Sequence, residues 1–305
     1  MAIKKNDPRK AERSRKLLDP QSCSAQPANI SPRWLLSAII IALAGAALCA
    51  WGTLCLLFWQ GSWQLLYHPK PGESAVPPSS IAFEQVGFAA NEAGQLRIHG
   101  WWIPAVTEPS SRFTIVYLHG AKGNLGDSVE DLAALHAVGV NVLAFDYRGY
   151  GQSEFAHPSE ARWIEDTGWA LDYLVQTRHT DPHSIVLLGK ELGADLAIIV
   201  AAAHPELAGV IADSPIEDPV SVIFGDSRAH LVPARLLVKD RYDVGAAAGR
   251  LRIPSLWLLP STTAANAGEP AAFSKVQAQR QLVTLNNAQN GADAMAHWLA
   301  NLPSR

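Results

Sequence analysis

Cysteine is scarce. The 305-residue chain has three, Cys23, Cys49 and Cys55, all before residue 56. The remainder therefore has neither a disulfide framework nor a thiolate metal centre. A basic excess is also missing: 25 Lys and Arg stand against 28 Asp and Glu, a net charge of −3. No basic stripe with interleaved aromatics occurs, which excludes nucleic acid as a partner. Nor is there an internal repeat. The most telling absence is local: between Arg33 and His68 no residue is charged.

That uncharged stretch is densest over Trp34 to Phe58, with Ala-Ile-Ile-Ile-Ala-Leu-Ala at 38–44. About 25 helical residues span roughly 37 Å, enough to cross a bilayer with some tilt. Trp34, Trp51, Trp59, Trp63 and Tyr67 cluster in and around it, and several are expected at the membrane interfaces. The run is long for a buried core helix and too long for the apolar core of a cleaved signal, typically ~7–15 residues. Leu48 precedes Cys49 and Leu54 precedes Cys55, so no lipoprotein-type box is present. Lys4, Lys5, Arg9, Lys10, Arg13, Arg15, Lys16 and Arg33 outnumber Asp7, Glu12 and Asp19 ahead of the run. The positive-inside rule then puts the N-terminus in the cytoplasm and the rest of the chain across the membrane, periplasmic in a bacterium.

The organisation expected is a disordered basic tail at 1–33, a transmembrane anchor at 34–66, a linker at 67–80 rich in proline (Pro69, Pro71, Pro77, Pro78) and one domain at 81–305. Alternating strands and helices predict an α/β fold whose mostly parallel sheet is covered on both faces. Strands are expected at 81–88 and 96–103, antiparallel and joined by Asn91–Gly94, then at 113–118, 140–145, 184–188, 209–212, 256–259 and 281–285. Helices are expected at 127–138 (with Gly139 closing it), 159–175, 192–203, 270–280 and 291–302. Residues 216–250 have no regular pattern.

Gly189-Lys190-Glu191-Leu192-Gly193 follows the apolar run Ile185–Leu188 and opens the apolar helix Ala194–Val200. Strand, tight glycine turn and helix are the setting of the nucleophile elbow G-x-S-x-G. The two glycines permit the sharp turn and the close approach of helix to strand. At the serine's place stands Glu191.

Further along the same frame, Leu118-His119-Gly120-Ala121-Lys122-Gly123-Asn124 resembles the oxyanion turn of the α/β-hydrolase superfamily. Phe145-Asp146-Tyr147-Arg148-Gly149-Tyr150-Gly151-Gln152-Ser153 is similar to a turn of its membrane-anchored serine aminopeptidase-like branch. So are Leu66-Tyr67-His68-Pro69 and His99-Gly100-Trp101-Trp102-Ile103-Pro104. The resemblance covers about 66–302 and implies the α/β-hydrolase fold. Its active members use a serine, a histidine and an acid, with the oxyanion held by backbone amides. By position those amides belong to Ala121 and Leu192, flanked by His119, Gly120, Gly189 and Gly193.

The resemblance also implies a degenerate triad. Thr263 falls where the acid belongs, and no Asp or Glu follows until Glu269. Gln289 falls at the histidine, and no histidine lies between His230 and His297. Glutamine has no titratable nitrogen and cannot act as general base. A carboxylate at 191 could attack in principle, but the resulting ester needs base-activated water to clear it. Its negative charge also opposes a developing oxyanion. The bland readings of the other candidates are structural: His119 within its turn, Asp146 and Arg148 fixing theirs by hydrogen bonds and a salt bridge, Asp213 capping a loop with Ser214, His297 on a helix surface. Glu191 is expected at the positive end of the helix it begins, as a contact for a cation.

The sequence therefore favours a membrane-anchored pseudoenzyme that binds a small molecule or a protein, with no metal and no cofactor. The competing readings are an active hydrolase of ester or peptide-type bonds using a non-standard set, for which Lys190 and Lys122 are the nearest bases, and a purely structural assembly piece.

Overall fold

The computed structural model describes residues 31–105, 112–261, 269–286 and 288–303. Two compact units divide the chain, one ending at Gly52 and one beginning at Thr53. The apolar run forms a single helix, α1 (Pro32–Gly61), about 45 Å long at 1.5 Å per residue. The helix is long and apolar enough to cross a membrane, a property that a signal sequence near an N-terminus shares. It stops earlier than the expected 66. A break at Ser62 starts a separate turn, α2 (Trp63–Leu66), followed by a two-residue strand β1 (His68–Pro69). Of the expected tail, residues 1–30 lie outside the described residues.

The second unit is built on an eight-stranded sheet. Its strands are β2 (Glu84–Ala90), β3 (Leu96–Ile103), β4 (Thr114–Leu118), β6 (Asn141–Asp146), β7 (Ile185–Lys190), β8 (Gly209–Asp213), β9 (Ser255–Pro260) and β10 (Arg280–Leu285). The short β5 (Lys122–Gly123) pairs with β1 instead. Sheet order is β10-β9-β8-β7-β4-β6-β3-β2. Pairing is parallel from β10 to β6, and β2 and β3 form the expected antiparallel hairpin. Asn91 shapes its turn by accepting from the N–H groups of Ala93 and Gln95.

β4 and β7 are buried along nearly their whole length because helices cover both faces, so they are continuous apolar runs rather than alternating ones. The covering helices are α3 (Val129–Val138), α4 (Glu160–Asp172), α5 (Leu192–Ala203), α8 (Val244–Arg250), α9 (Ala271–Lys275) and α10 (Ala288–Ala300). Gly139, at φ +88°, closes α3 in the left-handed conformation expected there.

β2 begins three residues later than expected, and two helices also differ from expectation. The helix expected at 270–280 is only α9. It ends at Lys275 because the Arg280 guanidinium caps the carbonyls of Phe273, Ser274 and Val276. The last helix begins three residues early, at Ala288, so position 289 lies in its first turn and not in the turn before it. The irregular stretch 216–250 folds as short pieces: α6 (Pro219–Ile223), a 3-10 turn (Ser227–His230), α7 (Ala234–Leu237) and α8.

Candidate functional site

The chain turns sharply after β7. Glu191 has φ +52° and ψ −119°, a strained backbone for a residue with a side chain. Both flanking glycines are required by contact. A Cβ on Gly189 would run into the backbone of Gly193 and Ala194, and one on Gly193 into the carbonyls of Leu118 and His119. The Glu191 N–H donates to the Asp213 carbonyl at 2.8 Å, and its carbonyl accepts from Ala194 at 2.9 Å. These bonds lock the turn without using the side chain, which is why glutamate can occupy it. The side chain makes no capping hydrogen bond to α5. It leans across to the oxyanion turn, where a Cβ on Gly120 would lie 3.1 Å from Glu191 Oε2.

The oxyanion turn is held from below. The His119 ring is buried, with Nδ1 2.8 Å from the Gly120 carbonyl, which assigns the proton to Nδ1. Nε2 makes no hydrogen bond and lies 3.6 Å from Asp146 Oδ1. Burial pulls the imidazole pKa down to about 4 and pushes the Asp146 carboxyl up to about 7. His119 is therefore a neutral packing element among Tyr147, Tyr150 and Trp163. Asp146 accepts from the Leu125 N–H at 2.7 Å and the Ser74 hydroxyl at 3.3 Å. The Ala121 carbonyl accepts from His68 N–H and Tyr150 Oη, each at 2.9 Å.

The turn at Asp146–Arg148 is fixed by hydrogen bonds and a salt bridge. Arg148 pairs with Asp166 at 2.6 Å and with Glu165, both on α4, and stacks on Trp169. About two turns of helix separate the acids from the N-cap Ser159, so tertiary packing rather than local sequence supplies them. Asp213 does accept from Ser214 Oγ at 2.8 Å.

Of the two lysines named as alternative bases, Lys190 is engaged by another carboxylate. The Lys190 ammonium donates to both carboxylate oxygens of Asp131, at 2.9 and 2.7 Å. Burial opposes its charge, but Asp131 outweighs this and raises its pKa. Lys122 lies in the short β1–β5 pairing, in register with His68. Asp131 also accepts from Tyr117 Oη at 2.8 Å. Sequence reasoning missed it because 59 residues separate it from Lys190 and no motif links them. It also missed Asp195, fully buried on α5, which accepts from the N–H groups of Ile216 and Glu217. Burial raises its carboxyl to about 8.

His297 lies far from the elbow. The helix that carries it ends beside Leu302, whose carbonyl accepts from Arg112 at 2.8 Å, just before β4 begins. The elbow and oxyanion turn lie beyond the opposite ends of the strands. Five residues of β4 alone separate the two poles by roughly 17 Å. Position 263 lies outside the described residues, and the helix start at 288 is described for position 289 without its side chain.

The family model "Serine aminopeptidase, S33" matches residues 109–282. The uncharacterized protein Rv2307c of Mycobacterium tuberculosis is 30% identical over 203 residues, 66% of this chain and 69% of that one. The uncharacterized protein YfhR of Salmonella typhimurium is 33% identical over 136 residues, 44% of this chain and 45% of that one. The chain thus spans about half the length of that relative. Among solved structures, the Pyrococcus furiosus esterase Pf2001 superposes with a TM-score of 0.57 at 16% identity, covering 78% of this chain and 98% of that one. The acetyl xylan esterase of a Paenibacillus species gives 0.54 at 19% identity, covering 81% and 94%. At such identities the two structures speak to the fold alone. Family match, relatives and sheet order agree: this chain belongs to the serine aminopeptidase-like family of the α/β-hydrolase superfamily.

Proposed function

We propose that the protein is a single-pass membrane-anchored pseudoenzyme, with α1 as its anchor and the hydrolase-fold domain on the extracytoplasmic side. Its former centre binds a ligand instead of cutting one. The observation that carries this reading is the Glu191 carboxylate, held at the strained elbow and leaning on Gly120 of the oxyanion turn. A negative group there opposes the charge that acyl transfer must develop. The backbone that would hold an oxyanion, at Ala121 and Leu192, stays in place around an acceptor that cannot relay a proton with its neighbours. Lys190 is engaged by Asp131, and burial keeps His119 neutral. The substituted triad positions Thr263 and Gln289 belong to the same reading. A carboxylate exposed at the sheet edge suits a ligand bearing a cationic group.

The test is treatment of the purified full-length protein in detergent with a fluorophosphonate probe, beside assays on short acyl esters. No stoichiometric labelling and no turnover above buffer are expected. Turnover that disappears in Glu191→Ala would overturn the proposal and favour a carboxylate nucleophile.

A further inference from the structure

The last turns of α1 belong to the second unit and have two different faces. Leu54, Cys55 and Phe58 pack against the domain core, whereas Leu56 and Leu57 are exposed. If this stretch lies at membrane depth, the protein surface beside it lies there too. Two contacts identify that surface. The Lys239 ammonium sits 3.7 Å from the centre of the Trp59 ring, and Trp63 of α2 stacks on His157 at 4.6 Å. A buried hydrogen bond of 2.9 Å between the hydroxyls of Tyr67 and Tyr242 ties the same stretches together.

Exposed apolar side chains gather in the segments that make these contacts. Phe155, 82% exposed, has its ring edge-on to His157, the ring that covers Trp63. Leu236, 79% exposed, lies in α7, one turn before Lys239. Val222 is 48% exposed on α6, which packs on α2. A soluble surface scatters such residues singly. Here three of them lie on segments that touch the foot of one apolar helix, with a tryptophan and a lysine beside them of the kind that anchor at interfaces.

We propose that Phe155, Val222 and Leu236 form a ring of membrane contact that inserts into the bilayer interface around the foot of α1. The occupant of this surface is the lipid of the anchoring membrane itself. The domain is thereby seated directly on the bilayer rather than held off it by the linker. This rests on the reading of α1 as a membrane span, and the experiment separates the two. Apolar insertion of this kind depends on buried side-chain area and needs no specific headgroup.

The experiment uses the full chain with Cys23, Cys49 and Cys55 replaced by serine, reconstituted in phosphatidylcholine vesicles. Single cysteines are placed by Phe155→Cys, by Leu236→Cys and, as a control at the opposite pole ahead of β7, by His183→Cys. Each carries an environment-sensitive fluorophore. The ring labels are expected to shift to the blue and to lose roughly half their emission to lipids spin-labelled on the acyl chain, with the control unchanged. Carbonate washing of the same vesicles reports on the anchor independently. Protein that stays in the pellet while its ring labels are quenched by aqueous iodide, as the control is, overturns the ring and leaves the anchor standing. Extraction into the wash overturns both. Ring labels shielded from iodide, unaffected by spin-labelled lipid and cross-linking between chains would assign the surface to a second copy and overturn the proposal.

Discussion

Two turns at the same edge of the sheet are built in opposite ways. After β6, the Asp146–Gln152 turn is held by its side chains. Arg148 is buried against Asp166 and Glu165, Asp146 fastens Leu125 and Ser74, and Tyr147 stacks on Trp163 with ring centres 4.0 Å apart. After β7, the 189–193 turn is held by its backbone, through two glycines and two main-chain hydrogen bonds, while Glu191 itself is exposed. The first turn cannot lose a side chain without unfolding around the vacancy. The second can exchange its central side chain without breaking any of these contacts. A glutamate at position 191 is therefore compatible with full retention of the frame.

The comparison breaks most sharply at Arg148. Arg148→Ala strands Asp166 as a buried charge, and a loss of about 3–5 kcal/mol is expected in denaturant unfolding followed by tryptophan emission. A change below about 1 kcal/mol would show that the first turn is not held as described. Next in size is Gly193→Ala. Its methyl group meets two carbonyls, and a loss of about 3 kcal/mol is expected in the same measurement. Glu191→Gly acts in the opposite direction. It relieves a positive φ at a position whose side chain fastens nothing, and a gain of about 1 kcal/mol is expected. A loss instead would give the glutamate a structural role.

The pH dependence sharpens the contrast further. Burial raises Asp146 to about 7 and Asp195 to about 8, above their unfolded values. The folded state then holds more protons than the unfolded state through this range, so stability falls as pH rises. Between pH 6.5 and 8.5 the melting temperature should drop by a few degrees, and Asp195→Asn should flatten the slope. His119, lowered to about 4, acts in the reverse sense between about 4 and 6.5, and so leaves the upper window to the carboxyls. The smallest effect is expected for Glu191→Ser, which should yield no measurable esterase because no base is placed beside it. Robust turnover from that single change would remove Gln289 from the histidine's position.

Much of the frame was legible in the sequence because its signals are local. The apolar runs of β4 and β7, the αL glycine at 139, the Asn91 hairpin and the elbow glycines each act within a few residues. The misplaced boundaries share one cause. Arg280 ends α9 from five residues beyond it, and the partners of Arg148 stand on α4, where no local pattern names them.

By itself, the sequence determined the long uncharged helix, the order of strands and helices, and the glutamate at the elbow, since each follows from backbone propensity or residue identity alone. Only the tertiary structure decided which charges meet. Lys190 found Asp131, the side chain of Glu191 came to rest on Gly120, and His297 was carried to the far pole. Such pairings depend on strand register and helix packing between segments distant in the chain, and no local pattern encodes them.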